Sequence, residues 1–292
     1  MRTLLITALL LALAPAHAAT PIDQTRPLSP TGRIDVSNVK GSIVIRAWDR
    51  PEVRIGGSLG DGVEKLAIEG DRDHLEVKVR YPRNGRNTEP TQLELNVPLR
   101  AELEIDSVAA SVHVTGVAPA SLSIDTVSGP VVVAAAPREI SVDSVSGPVT
   151  LTVNSPEVSV ESVSGDIILR GRLNGEISTE TVSGRIDVEV NGERLRELSA
   201  TTVSGNARVR TALANNGEIR METVSGGLTL VLPKDLSARV TGKTFSGDLT
   251  APGASIERPK YGPGASFNAR YGNGDGEISL ESFSGNATLR LE

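Results

Sequence analysis

The chain has 292 residues, with 30 basic and 36 acidic side chains and a formal charge of −6, and it contains no cysteine. An acidic balance without basic clusters speaks against nucleic acid and against electrostatic docking on anionic lipid. With no thiol for a disulfide or a lipid anchor, packing and backbone pairing alone must hold the fold, and with aromatics at only 2% the core must be built from thin layers of Val, Ile and Leu.

The first residues read "MRTLLITALLLALAPAHAAT". One arginine, an apolar run too short to span a bilayer and the small-x-small site Ala16-His17-Ala18 predict a Sec-type signal peptide over residues 1–18. Nothing after residue 20 is apolar for long enough to cross a membrane. The expected location is the periplasm, the cell surface or the medium. Residues 19–105 form an irregular, strand-rich N-terminal cap that merges into a repeat, with "YPRNGRNTEPTQ" as a loop and Trp48 as an anchor of the cap.

Residues 106–292 are repetitive. Ser or Thr, then Val or Phe, then Ser-Gly recurs eight times, ending at Gly129, Gly147, Gly165, Gly184, Gly205, Gly226, Gly247 and Gly285. The steps are 18, 18, 19, 21, 21, 21 and 38 residues. Ala110 holds the glycine position of a worn copy, and "VSNVKGSIVIRAW" at Gly41 resembles another. Around Gly147 the apolar residues alternate as Ile140 and Val142 before it and Val149, Leu151 and Val153 after it. Alternation means strands with one buried face. The parity changes across the tetrad, so each copy turns a corner there, and glycine is expected to supply the backbone freedom. A cycle of this length is too short for a domain and must stack. The predicted fold is all-β: a parallel, β-helix-like solenoid of 18–21-residue coils, each made of strand, corner, strand and return loop. An antiparallel sandwich of hairpins is the second reading.

The tetrad's leading hydroxyl residue is expected to satisfy stacked neighbours and loose corner backbone. Just before it lie Asp125, Asp143, Glu161, Glu180, Thr201, Glu222, Lys243 and Glu281, with Asp106 extending the row. Alternation points these outward as a solvated face; a weak divalent-cation surface is the alternative. No residue set predicts catalysis, a metal or a cofactor: the mature histidines His74 and His113 stand apart, and no glycine loop opens a helix.

The 38-residue step holds a Gly- and Pro-rich hairpin insertion at 251–276. Its Arg258, Lys260, Tyr261, Phe267, Arg270 and Tyr271 are the candidate partner-binding residues, because loops on rigid scaffolds often carry recognition. The chain stops soon after the last corner, which leaves an open strand edge for end-to-end self-association or capture of an extended segment.

The order "VKGSIVIRAWDRPEVRIGG", "LELNVPLRAELEIDSV", then repeated "DTVSGPVVV" and "ETVSGRIDV", resembles the DUF4097 family, provisionally described as adhesins with β-strand repeats. The closing "GNGDGEISLESFSGNATLRL" is similar to that family's last repeat. The resemblance implies a β-solenoid, export to the cell envelope and no catalytic activity, and it brings no ligand residues. The expected function is therefore adhesin-like binding or a structural role, toward an envelope protein or a surface glycan. A periplasmic sensor or scaffold of an envelope-stress pathway is the second reading, and a carbohydrate-active enzyme the third.

Overall fold

The structure is a computed structural model that describes residues 20–83 and 87–292. The predicted signal peptide lies outside the described residues. Twenty strands make one sheet, and no helix occurs among the described residues. The N-terminal group is β1 (Thr20–Pro27), β2 (Arg33–Trp48), β3 (Glu52–Leu59), β4 (Lys65–Gly70), β5 (His74–Arg80) and β6 (Thr91–Pro98). The repeat follows as β7 (Glu102–Thr115), β8 (Ser121–Thr126), β9 (Val131–Ala135), β10 (Glu139–Ser144), β11 (Val149–Ser162), β12 (Ile167–Thr181), β13 (Ile186–Thr202), β14 (Ala207–Thr223) and β15 (Leu228–Leu232). The chain closes with β16 (Ala238–Thr244), β17 (Leu249–Thr250), β18 (Ala265–Tyr271), β19 (Gly276–Ser282) and β20 (Ala287–Leu291).

Each cycle lies on the next in parallel, like over like. Asp125 faces Asp143, Val142 faces Val160, and Val149 faces both Val131 and Ile167. The architecture is β-solenoid-like. Ile140, Val142, Val149 and Leu151 are fully buried, each stabilising the fold by about 1.5–3 kcal/mol. Val145 and Ser146 both point outward, while Ser144 and Gly147 both point inward. This is the parity change that the alternation predicted.

The corner glycines are required for a different reason from backbone freedom. None has a left-handed φ. A Cβ on Gly147 would lie 2.1 Å from the carbonyl oxygen of Gly129, and one on Gly205 would lie 1.8 Å from that of Gly184. Each glycine is pressed against the corner of the coil before it. Ala110 is tolerated because the residue stacked beneath it is Gly41, which does take a positive φ of 114°.

Hydroxyl groups fasten the corner twice. Ser144 Oγ donates to the Gly147 carbonyl at 2.8 Å, and Gly165, Gly184, Gly205 and Gly226 donate their N–H to the equivalent hydroxyl at 2.9–3.0 Å. The second serine reaches the coil before: Ser146 Oγ donates to the Val127 carbonyl at 3.1 Å, and Ser164 Oγ to that of Val145 at 3.2 Å. No buried side-chain polar atom lacks a partner among the described residues.

The return differs from the expected loop. In β11–β14 the chain runs on as strand, with register breaks at Ser155/Glu157, Gly171/Glu176 and Glu189/Arg194. Those breaks absorb the change from 18 to 21 residues, and Leu173, Leu195 and Leu213 fill the space inside. The corners never lose register.

Order along the stack is not order along the chain. β2 lies between β7 on one side and β5 and β6 on the other, so stacking begins well before residue 105. At the far end β19 lies between β14 and β16, and β20 between β15 and β17. The last coil is therefore enclosed along β19, but of β20 only Ala287 and Thr288 meet β17, so the open edge predicted for it is reduced to residues 289–291. Antiparallel strands lie along the outer coils: β4 on β5, β3 on β6 with β1 beyond it, and β18 on β16. Trp48 donates Nε1–H to the Glu52 carbonyl at 2.7 Å and carries Arg50 over its ring, which fixes the β2–β3 turn.

Replacing Gly147 with Ala is expected to lower the unfolding free energy by about 1–3 kcal/mol, because the coils must separate to admit the methyl group. Gly56→Ala, whose new Cβ would meet nothing closer than 3.7 Å, should change it by less than about 0.5 kcal/mol. Urea unfolding of the two variants checks the contrast.

Candidate functional site

The apolar residue of each tetrad is the side chain that the fold leaves outside. In stack order the row runs Val39, Val108, Val127, Val145, Val163, Val182, Val203, Val224, Phe283 and Phe245, each 39–55% exposed. Among the described residues every exposed large hydrophobic except Leu99 and Tyr261 belongs to this row. Phe245 and Phe283 stack face to face with ring centroids 4.7 Å apart. Tyr81 marks the other end, donating its hydroxyl to Asn38 Oδ1 at 2.8 Å beside Val39.

Parallel to this ridge runs the carboxylate row, two residues earlier in each coil. The intervening hydroxyl residue points inward, so a trough opens between ridge and row. One stretch of about 700 Å³ extends from Ser37 to Val203 along Asp106, Asp125, Asp143, Glu161 and Glu180. A second, of about 640 Å³, continues past Glu222 and Phe283 to Pro259, Pro263 and Gly264 of the insertion. Partial burial raises the carboxyl pKa of Asp106, Asp125 and Asp143 above the ordinary value, and each next carboxylate in the row adds to the rise. Lys243 ends the row and pairs with Glu281 at 3.3 Å.

A second acidic ladder, Glu139, Glu157, Glu176, Glu197, Glu218 and Glu277, climbs the same face four residues earlier in each coil. Among the described residues no group of three or more His, Cys, Asp or Glu is arranged to hold a metal ion. A polar cluster sits apart on β2: Asp35 accepts from Arg33 at 2.8 Å and contacts His74 Nε2 at 2.8 Å. Burial pushes the Asp35 carboxyl up, but those two partners outweigh it and hold the group below its ordinary value.

The six candidate residues of the insertion have unlike settings. Phe267 is buried at 3% exposure, with its ring filling the place of a side chain at Gly242. It is a core residue of the β16–β18 hairpin and offers nothing to a partner, which corrects its assignment to a binding surface. Tyr271 is half-buried, donates its hydroxyl to the Pro252 carbonyl at 2.6 Å, and has its pKa raised by burial. Arg270 bonds the Asn273 carbonyl, and Arg258 pairs with Asp248 at 2.9 Å. Only Tyr261, 83% exposed with Lys260 over its ring at 5.4 Å, stands clear of the fold.

The ridge is absent from the candidates that the sequence offers. Its signal was there: an apolar residue in every copy, placed at the one step where the alternation slips.

The family model for DUF4097, described as Toastrack, matches residues 33–290. The chain belongs to the DUF4097 family. A crystal structure from Parabacteroides distasonis, of a protein provisionally described as lipid-binding, is 13% identical over 94% of this chain and 97% of that one, with a TM-score of 0.56. Another from the same organism, provisionally described as an adhesin, is 13% identical over 94% and 98% of the two chains, with a TM-score of 0.54. At that identity the likeness is one of fold. No curated protein matches the chain. DUF4097 membership adds no ligand residue to the ridge or the row.

Two outcomes follow. Phe267→Ala should lose about 3–5 kcal/mol of stability in urea unfolding, whereas Tyr261→Ala should change it by less than about 0.5 kcal/mol. The raised carboxyls mean that the folded chain binds protons before the unfolded one. The ionised row therefore opposes folding at neutral pH, and the opposition fades as pH falls through the raised values toward 3.8. Asp143→Asn should raise the melting temperature at about pH 7 and raise it less at about pH 4, as read by calorimetry.

Proposed function

We propose that this protein is an exported, non-catalytic β-solenoid of the cell envelope that presents its ridge to a partner, in an adhesin-like role. The observation that carries this reading is the gathering, among the described residues, of nearly all exposed large hydrophobics into one unbroken row. Isolated surface valines need no explanation, but a contiguous apolar strip beside a trough is characteristic of an interaction surface. The rigid parallel stack holds that strip at a fixed spacing, as a binding scaffold requires.

Several features support the absence of chemistry. The tetrad hydroxyls Thr126, Ser144 and Ser162 are 5–7% exposed, and their hydrogen bonds go to the backbone of their own corner. A nucleophile needs an adjacent base, and no histidine lines the trough. Export is supported by the leader-like "MRTLLITALLLALAPAHAAT", and no helix among the described residues is long and apolar enough to cross a membrane. The provisional description of one structural neighbour as an adhesin agrees with a surface role.

The test is binding of the purified mature protein to isolated envelopes, with accessibility to protease on intact cells as a second readout. Val127, Val145, Val163 and Val182 are replaced together by Thr, which keeps strand propensity while removing apolar surface. Retention on the envelope should fall severalfold with the melting temperature unchanged. Equal retention of the two proteins would defeat the reading.

A further inference from the structure

The trough beside the ridge narrows the chemistry of the occupant, in an inference that rests on the ridge being a contact surface. Its two walls are unlike. One is apolar, built from the tetrad valines; the other is a line of carboxylates, Asp106 to Glu180, one per coil. At a strand spacing of about 4.8 Å, those five carboxylates extend over roughly 19 Å. Among the described residues none of the five is in a salt bridge, although nine other Glu and four Asp side chains are. Asp106, Asp125 and Asp143 are partly desolvated, and each is repelled by the next carboxylate in the row.

The chain itself displays what completes this arrangement. In the outermost coil Lys243 stands in the row and reaches Glu281, two residues before the ridge residue Phe245. An ammonium over a carboxylate, next to an apolar neighbour on the ridge, is the pattern that the rest of the trough leaves half-made. A second copy of the chain docked ridge to ridge would bring two carboxylate rows together, and like charge opposes that contact.

We propose that the trough takes an extended basic segment of another polypeptide, in which Lys or Arg alternates with apolar residues. An extended chain turns successive side chains to opposite sides. Lying along the trough, it sends every second side chain to the carboxylates and the others to the valines. At about 3.4 Å per residue, about six residues cover the five carboxylates. The corner N–H groups of Val145, Ser146, Val163 and Ser164 already bond the coil before, so the segment is not added as a strand. Ion pairs and apolar contact hold it, and the ion pairs weaken with salt.

The experiment is fluorescence anisotropy with labelled peptides of about nine residues, enough to span the trough from Ser37 to Val203. One alternates Lys and Val, one has the same residues in two blocks, and one carries Glu for Lys. The alternating peptide should bind at low salt, the block peptide about tenfold more weakly, and the Glu peptide not at all. The D125N/D143N/E161Q variant and the V127T/V145T/V163T variant should each weaken the alternating peptide about tenfold or more, with melting temperatures confirming that both are folded.

Equal binding of the alternating and block peptides, unchanged binding by the carboxylate variant, or no binding by the native protein would each overturn the proposal. So would a ridge-dependent dimer in sedimentation, which would assign the trough to a second copy. Envelope retention separates the two readings. If it survives the carboxylate substitutions but not the valine ones, the contact surface stands and the basic segment falls.

Discussion

Everything in this molecule depends on how closely one corner can approach the next. The carbonyl oxygen of each corner glycine occupies the space where the following corner would place a Cβ. That contact forces like to lie over like, because only a corner of the same shape brings its own glycine to the same point. Parallel pairing of the flanking strands follows, and with it the in-register burial of Val, Ile and Leu. The hydroxyl before the ridge and the serine after it then satisfy the backbone groups that the turn frees, one within the coil and one between coils. Length variation is driven to the opposite side, where register breaks absorb it.

The same constraint creates the surface. Because the corner changes parity, two consecutive residues must point outward, and one of them is Val or Phe in every copy. Stacking turns a single exposed valine per coil into a ridge, and the acidic residue two places earlier into a row. Neither is a feature of one coil. The trough between them exists only through repetition, and its length is set by the number of coils in contact.

Much of this could be read from the residues. The fixed period, the alternation around Gly147 and the parity change gave the strand–corner–strand unit, and Gly41 was recognisable as a worn copy. The carboxylate row was legible because its members share one place in the cycle. The ridge was not recognised, because Val145 resembles any strand valine until the direction of both corner residues is known. The insertion misled for a related reason: aromatic residues in a Gly- and Pro-rich stretch resemble a binding loop. Phe267 in fact alternates with outward residues on β18, opposite a glycine that makes room for its ring. The stacking order of the ends was beyond reach, since no local pattern tells β19 to pair with β14 rather than to follow β16 outward.

The enclosed last coil has a consequence for the time course of folding. Within the repeat, corners that touch are close in sequence, as Ser146 and Val127 are at 19 residues. Ser284 reaches Val224 across 60 residues. Loop-closure entropy grows with that separation, and non-local pairing slows folding. The repeat can zip coil upon coil as each cycle becomes available, but β16 and β17 must wait beside a gap until β19 and β20 enter it. Closure of the far end is expected to lag behind the repeat, with the edges of β14 and β15 unpaired until β19 and β20 arrive.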